Sequence, residues 1–136
     1  MTIRSVAPLI TVRDVPASVR FYRRLGFEPA VEWPTYAKLA HAAGVLHLAA
    51  QGDAPPDRPS VALSAPQIGA DRVGAIVVLE VDDCHKYCAG LAASGVELLG
   101  DPATPPWGGE IRAFLRDPDG HLIEVNQPVG EAADGG

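Results

Sequence analysis

Val12-Arg13-Asp14-Val15, a helical stretch and Leu25-Gly26-Phe27-Glu28 recur further on as Val81-Asp82-Asp83-Cys84, a helical stretch and Ser94-Gly95-Val96-Glu97. Val12 to Val81, Asp14 to Asp83, Gly26 to Gly95 and Glu28 to Glu97 are each separated by the same 69 positions. A shared cap, helix length and stop at one offset is the mark of an internal repeat. Asp14 and Asp83 can accept hydrogen bonds from first-turn N–H groups, and Pro16 suits a first turn, where its missing N–H costs nothing. Gly26 and Gly95 can take the left-handed conformation that closes a helix. Val15, Val19, Tyr22 and Leu25 form one apolar stripe of the first helix.

After each helix the pattern turns to strands, expected at 27–33, 35–42 and 45–51 in the first copy and at 96–100, 110–116 and 121–127 in the second. Asp117-Pro118-Asp119-Gly120 reads as the turn joining the last two, since Pro presets φ and Asp-Gly tolerates positive φ. The expected fold is α+β, with two tandem β-α-β-β-β modules forming a partly open, concave mixed sheet around a small-molecule pocket. It is read as a single domain over 1–136, with module one at about 5–51, a connecting loop at 52–74, module two at about 75–128 and a disordered tail at 129–136. The loop carries Pro55, Pro56 and Pro59, which cannot sustain a ladder. It is a functional flap or, the preferred reading, a mobile linker.

The chain has 136 residues, 47% of them hydrophobic and 21% charged, a globular composition. Its formal charge of −6 disfavours nucleic-acid binding and would attract a cationic ligand. No apolar run approaches the ~18 residues of a membrane span, and the opening residues lack a secretory apolar region, so a cytoplasmic location with no membrane partner is expected. Cys84 and Cys88 lie with Tyr87 and Leu91 on one helical stripe and read as small core residues, not as zinc ligands.

Phe21-Tyr22-Arg23-Arg24-Leu25-Gly26-Phe27 and Arg116-Asp117-Pro118-Asp119-Gly120-His121-Leu122-Ile123-Glu124, set in two such modules, resemble the vicinal-oxygen-chelate superfamily. That group includes glyoxalase I, extradiol dioxygenases and the fosfomycin- and bleomycin-resistance proteins. In its metal-using members a His or Glu typically stands at four equivalent places, in the opening and final strands of each module. Carried onto this chain, those places fall at Ala7, Ile76, Leu48 (or Ala49, for a shift of one) and Glu124. Only Glu124 keeps a ligand type, and one carboxylate cannot hold a catalytic divalent ion. The resemblance therefore implies no metal and no cofactor. His47 should face away from Leu48, because strand side chains alternate. A rearranged site of His41 and His47 is a minor alternative, while His121 and His85 read as turn and helix-surface residues.

Within the superfamily the sequence is most similar to bleomycin-resistance binding proteins, which sequester the drug without chemistry. Ala7-Pro8-Leu9-Ile10-Thr11-Val12-Arg13-Asp14-Val15 looks like their opening strand, which is exchanged between subunits of a homodimer. Pro106-Trp107-Gly108-Gly109-Glu110 looks like their Trp-Gly segment, and Tyr36 falls where an aromatic residue faces that Trp across the ligand site. The implied function is sequestration of a planar, cationic antibiotic of the bleomycin type, with an antibiotic-resistance role. The ligand residues it implies are Tyr36, Trp107, Gly108, Gly109, Phe114, Trp33 and Glu124. Flat heteroaromatics suit aromatic walls, and Asp53, Asp57, Glu32 or Glu110 could draw a cation. Trp107 has the alternative of plugging the barrel mouth, Tyr36 of being an ordinary strand residue, and Trp33 of packing. A bulge of its strand near the glycines would turn Phe114 aside, and Lys38 would oppose a cation if it faces inward. The alternatives are a metal-dependent lyase, isomerase or dioxygenase of the same superfamily, and a module binding a host metabolite or partner.

Overall fold

The computed structural model describes residues 2–130. Its elements run β1 (Leu9–Val12), α1 (Val15–Leu25), β2 (Glu28–Trp33), β3 (Tyr36–His41), β4 (Gly44–Ala50), β5 (Ile76–Glu80), α2 (Cys84–Ala93), β6 (Glu110–Arg116) and β7 (Leu122–Pro128). They form two compact units, Met1–Ile68 and Gly69–Gly136. The fold is α+β, with a sheet of order β1-β4-β3-β2 in the first unit and one of order β5-β7-β6 in the second. No helix of the described residues is long and apolar enough to cross a membrane.

In the first unit Asp14 caps α1 by accepting from the Ala17 amide at 3.0 Å, and Gly26 closes it at φ 116°. The helix buries Val15, Val19, Tyr22 and Leu25, the expected stripe, against its own sheet. Tyr22 sits edge-on to Phe21 and Phe27, with ring centroids 5.2 and 6.0 Å away. From the sheet, Ala37, Leu39, Leu46 and Leu48 complete this core. β1 runs parallel to β4, and β2, β3 and β4 pair antiparallel, with an irregularity between Pro29 and Val31 where proline lacks a ladder donor.

The second unit repeats the plan. Asp83 accepts from the Lys86 amide at 2.9 Å, and Gly95 takes φ 91° after α2. α2 lays Cys84, Cys88 and Leu91 on the face of the sheet formed by Ala113, Leu115, Ile123 and Val125. Burial pushes both thiols up, Cys88 to about 12. The thiolate is the reactive form, so neither cysteine should react appreciably with Ellman's reagent in native protein at pH 8, and both should react after denaturation. Fast native labelling would contradict this burial.

The structure departs from the sequence expectations in four places. Residues 96–100 are not a strand. Only isolated bridges, Leu98 to Leu115 and Ala103 to Arg112, tie the 98–103 segment to β6. Between those bridges the segment takes more residues than β6 does, and Gly100, Asp101 and the donor-less Pro102 bow outward. Nor is the connecting loop a free linker. Gly52 and Leu63 exchange both backbone hydrogen bonds, at 2.9 and 2.8 Å, and Gln51 holds the Ala65 amide at 3.1 Å. The prolines forbid a long ladder, but Gly52 and Leu63 keep their donors.

Val129, placed in the expected tail, is instead tied to the second unit, its amide bonding the Gly109 carbonyl at 3.1 Å. Residues 131–136 lie outside the described residues. Finally, β6 does not bulge: it pairs with β7 residue for residue from Glu110 to Arg116. The Asp117-Pro118-Asp119-Gly120 turn forms as expected, with Asp117 Oδ1 accepting from the Asp119 and His121 amides, both at 2.9 Å.

Candidate functional site

Each sheet covers its helix with one face and leaves the other open. Strand alternation then fixes which side chains the open faces carry. In the second unit Ala113 and Leu115 of β6 and Ile123 and Val125 of β7 point to α2, so Glu110, Arg112, Phe114, Glu124 and Asn126 share the open face. Cross-strand register sets Phe114 beside Glu124 and Arg112 beside Asn126.

These side chains form one network with Trp107, which stands in the loop before β6. The Trp107 indole donates to Glu110 Oε2 at 2.7 Å. The Asn126 amide donates to Glu110 Oε1 and, at 2.8 Å, to Glu124 Oε2. The indole and amide hydrogen bonds, the indole's first, hold the Glu110 carboxyl below the usual carboxylate range. The Arg112 guanidinium lies over the Trp107 ring at 4.7 Å and over Phe114 at 5.2 Å, within cation–π range of both. Its Nη1 is 3.9 Å from Glu124 Oε1.

Trp107 is pinned along one edge yet 66% exposed, so it plugs nothing within its unit. Gly108 and Gly109 adopt φ 72° and 79°, a left-handed turn that aims the indole at Glu110. At Gly108 a Cβ would meet nothing within 4 Å, so that glycine answers to backbone conformation, not to a close approach. A cavity of about 290 Å³ adjoins the network beneath the bowed segment, lined by Leu99, Asp101, Thr104, Pro105, Arg112 and Phe114 among others. It can admit a ring-sized group but not a whole drug-sized ligand.

The first unit has its own open face. Trp33 and Tyr36 pack ring to ring at 5.6 Å, and the Tyr36 hydroxyl meets His47 Nδ1 at 2.6 Å. Trp33 is 61% exposed and is not a core residue. Register places Lys38 opposite His47 on this same face, so its ammonium does stand on the side of the aromatic residues. Glu32 alternates away from Trp33, and Glu110, one of the four proposed acidic groups, accepts from the Trp107 indole.

The metal positions shift in one respect. Leu9 pairs with His47, and Val78, 69 positions after Leu9, pairs with Glu124. The counterpart of Glu124 is therefore His47, not Leu48, which is wholly buried in the core, nor Ala49. The slip arises because the β3–β4 hairpin has a shorter turn than the β6–β7 hairpin, so aligning Gly44 with Gly120 displaces the count. The donor set still does not suit a catalytic divalent ion. Ala7 and Ile76 offer no ligand atom, so only two of the four places, His47 and Glu124, keep a ligand type, short of the three protein ligands such sites present. A rearranged His41–His47 site is excluded by alternation. His41 falls on the α1 side of β3, near Phe27, and its Nδ1 accepts from the Ala43 amide at 3.2 Å.

Arg112 and Asn126 were missed by the sequence reading. Their signal was available: counting by two from Glu110 and from Glu124 along their strands puts both on the open face.

Residues 3–125 match the model of a family described as the Glyoxalase/Bleomycin resistance protein/Dioxygenase superfamily. No curated protein matches the chain. Among solved structures, a glyoxalase/bleomycin resistance protein/dioxygenase from Nocardioides superposes with TM-score 0.73 at 20% identity, covering 96% of this chain and 87% of that one. A bleomycin-binding protein complexed with bleomycin gives TM-score 0.67 at 21% identity over 93% of this chain and 100% of the other. A lactoylglutathione lyase from Agrobacterium tumefaciens gives 0.71 at 17% identity, over 93% and 96%. At such identities the likeness is one of fold, and it spans a binding protein and an enzyme alike.

Proposed function

Because the chain belongs to the Glyoxalase/Bleomycin resistance protein/Dioxygenase superfamily, we propose that it is a non-catalytic binding protein that sequesters a planar, cationic antibiotic of the bleomycin type. The observation that carries this reading is Trp107, a largely exposed indole held rigid by its bond to Glu110 and backed by carboxylates. A fixed aromatic face gives large contact area for a flat heteroaromatic group with little entropy to lose on binding. Glu110 and Glu124 supply the negative charge that a cationic tail seeks, and a chain of formal charge −6 adds long-range attraction. Trp33 and Tyr36 offer a second aromatic surface, with Lys38 limiting how much positive charge that side accepts. Phe114, Gly108 and Gly109 complete the set of ligand residues.

Equilibrium dialysis against metal-free bleomycin tests this function. One drug per chain retained, and recovered chemically unchanged, is the expected outcome; no retention, or an altered drug, would sink the proposal. We also propose a homodimer, with exchange of the N-terminal strand as one way to build it. The exposed apolar side chains of Ile76 and Val78 on the edge strand β5 support self-association. Sedimentation at twice the 14.2 kDa chain mass is expected, and a monomer at micromolar concentration would refute it.

A further inference from the structure

The seat on the open face of the second unit already holds a planar cation, the protein's own. Arg112 presents a flat guanidinium 4.7 Å from the Trp107 centroid and 5.2 Å from that of Phe114. Two carboxylates stand by it on the same face: Glu124, 3.9 Å away, and Glu110, which is fixed by its own two donors. One guanidinium against these two carboxylates leaves the seat itself negative with Arg112 in place, and more so without it.

The occupant is held by ring contacts and one long ion pair. Its ion pair with Glu124 spans 3.9 Å, beyond hydrogen-bond length, and its side chain keeps 26% of its exposure. By contrast, the walls are fixed: Trp107 by Glu110, Glu110 and Glu124 by Asn126, Phe114 by an unbroken ladder. A fixed wall and a movable occupant are the parts of a displacement site. The adjoining cavity is lined by both Arg112 and Asp101, so a displaced guanidinium has a carboxylate within its own pocket to receive it.

We infer that Arg112 is a specificity-determining residue, a tethered competitor that only a planar cation can replace between Trp107 and Phe114. The inference rests on the reading of Trp107 as the face that meets ligand. It narrows the ligand class to molecules carrying an amidinium, a guanidinium or a cationic heteroaromatic ring. A neutral flat molecule would have to move a cation off two carboxylates without replacing its charge. An anion would pair with Arg112 where it stands.

The test follows the Trp107 indole N–H resonance by NMR while benzamidinium, neutral benzamide and benzoate are titrated into the full chain. Wild type is compared with Arg112→Met and Arg112→Gln, each checked for native circular dichroism. Wild type should bind benzamidinium more tightly than benzamide, and vacating the seat should tighten benzamidinium binding at least tenfold in both variants. Unchanged or weaker benzamidinium binding in the variants overturns the inference. So does benzoate binding by wild type that vanishes in the variants, which would make Arg112 an anion anchor. The antibiotic takes no part in this titration. A failure of the drug-binding reading therefore shows itself separately, in the dialysis experiment, and leaves the result for Arg112 intact.

Discussion

Trp107→Ala should weaken binding of metal-free bleomycin by at least about 2 kcal/mol, roughly thirtyfold, while the protein stays folded. Both halves of that expectation come from one fact, the 66% exposure of the indole. A side chain so exposed contributes little to the core, and its removal opens no cavity there. What it does contribute is a flat face at a fixed angle, since the left-handed turn at Gly108 and Gly109 and the bond to Glu110 leave it little freedom. Truncation removes the stacking surface and also deprives Glu110 of the indole donor. Calorimetric titration of the variant, beside its thermal melt, separates these effects. Tight binding by the variant would remove Trp107 from the site, and a large drop in stability would mean the indole is a structural residue after all.

The second large effect concerns stability alone. Leu48→Ala should cost about 2–5 kcal/mol, the range for deleting a wholly buried leucine whose neighbours cannot close the gap. Leu48 is fully buried on β4, paired with Ile10 of β1 and Ala37 of β3, on the sheet face that α1 covers. Urea denaturation reads the loss directly. A cost below about 1 kcal/mol would contradict the placement of Leu48 in the core, and with it the assignment of His47 as the counterpart of Glu124.

That assignment shows where a sequence can be read and where it misleads. The repeat was legible because caps and stops are local chemistry: Asp14 and Asp83 bond amides three residues on, and Gly26 and Gly95 take the backbone angles that end a helix. Strands β2, β3 and β4 were legible within about a residue for the same reason, since alternation is local too. The metal positions were not, because equivalence across two hairpins depends on how many residues each turn spends, and these two differ. Register between β1 and β4, a long-range pairing, decides the matter.

Segment 96–100 misled differently. Its composition suits a strand, but Gly100 and Pro102 interrupt the ladder and open the cavity beside Arg112. Of the proposed ligand residues, Trp107, Gly108, Gly109, Phe114 and Glu124 came from resemblance and stand in one network or its supporting turn. Arg112 and Asn126, which complete that network, belong to neither of the motifs that carried the resemblance and emerge only when the open face is counted out strand by strand.

Binding without chemistry is the claim on which the rest depends, and a calorimetric titration of purified protein with metal-free bleomycin, repeated on Trp107→Phe, meets it head-on. The predicted result is saturable binding of one drug per chain, tighter than micromolar for the wild type and weakened by the substitution. No heat at tens of micromolar drug, together with divalent-metal-dependent turnover of a glyoxalase or dioxygenase substrate by the same preparation, would contradict it.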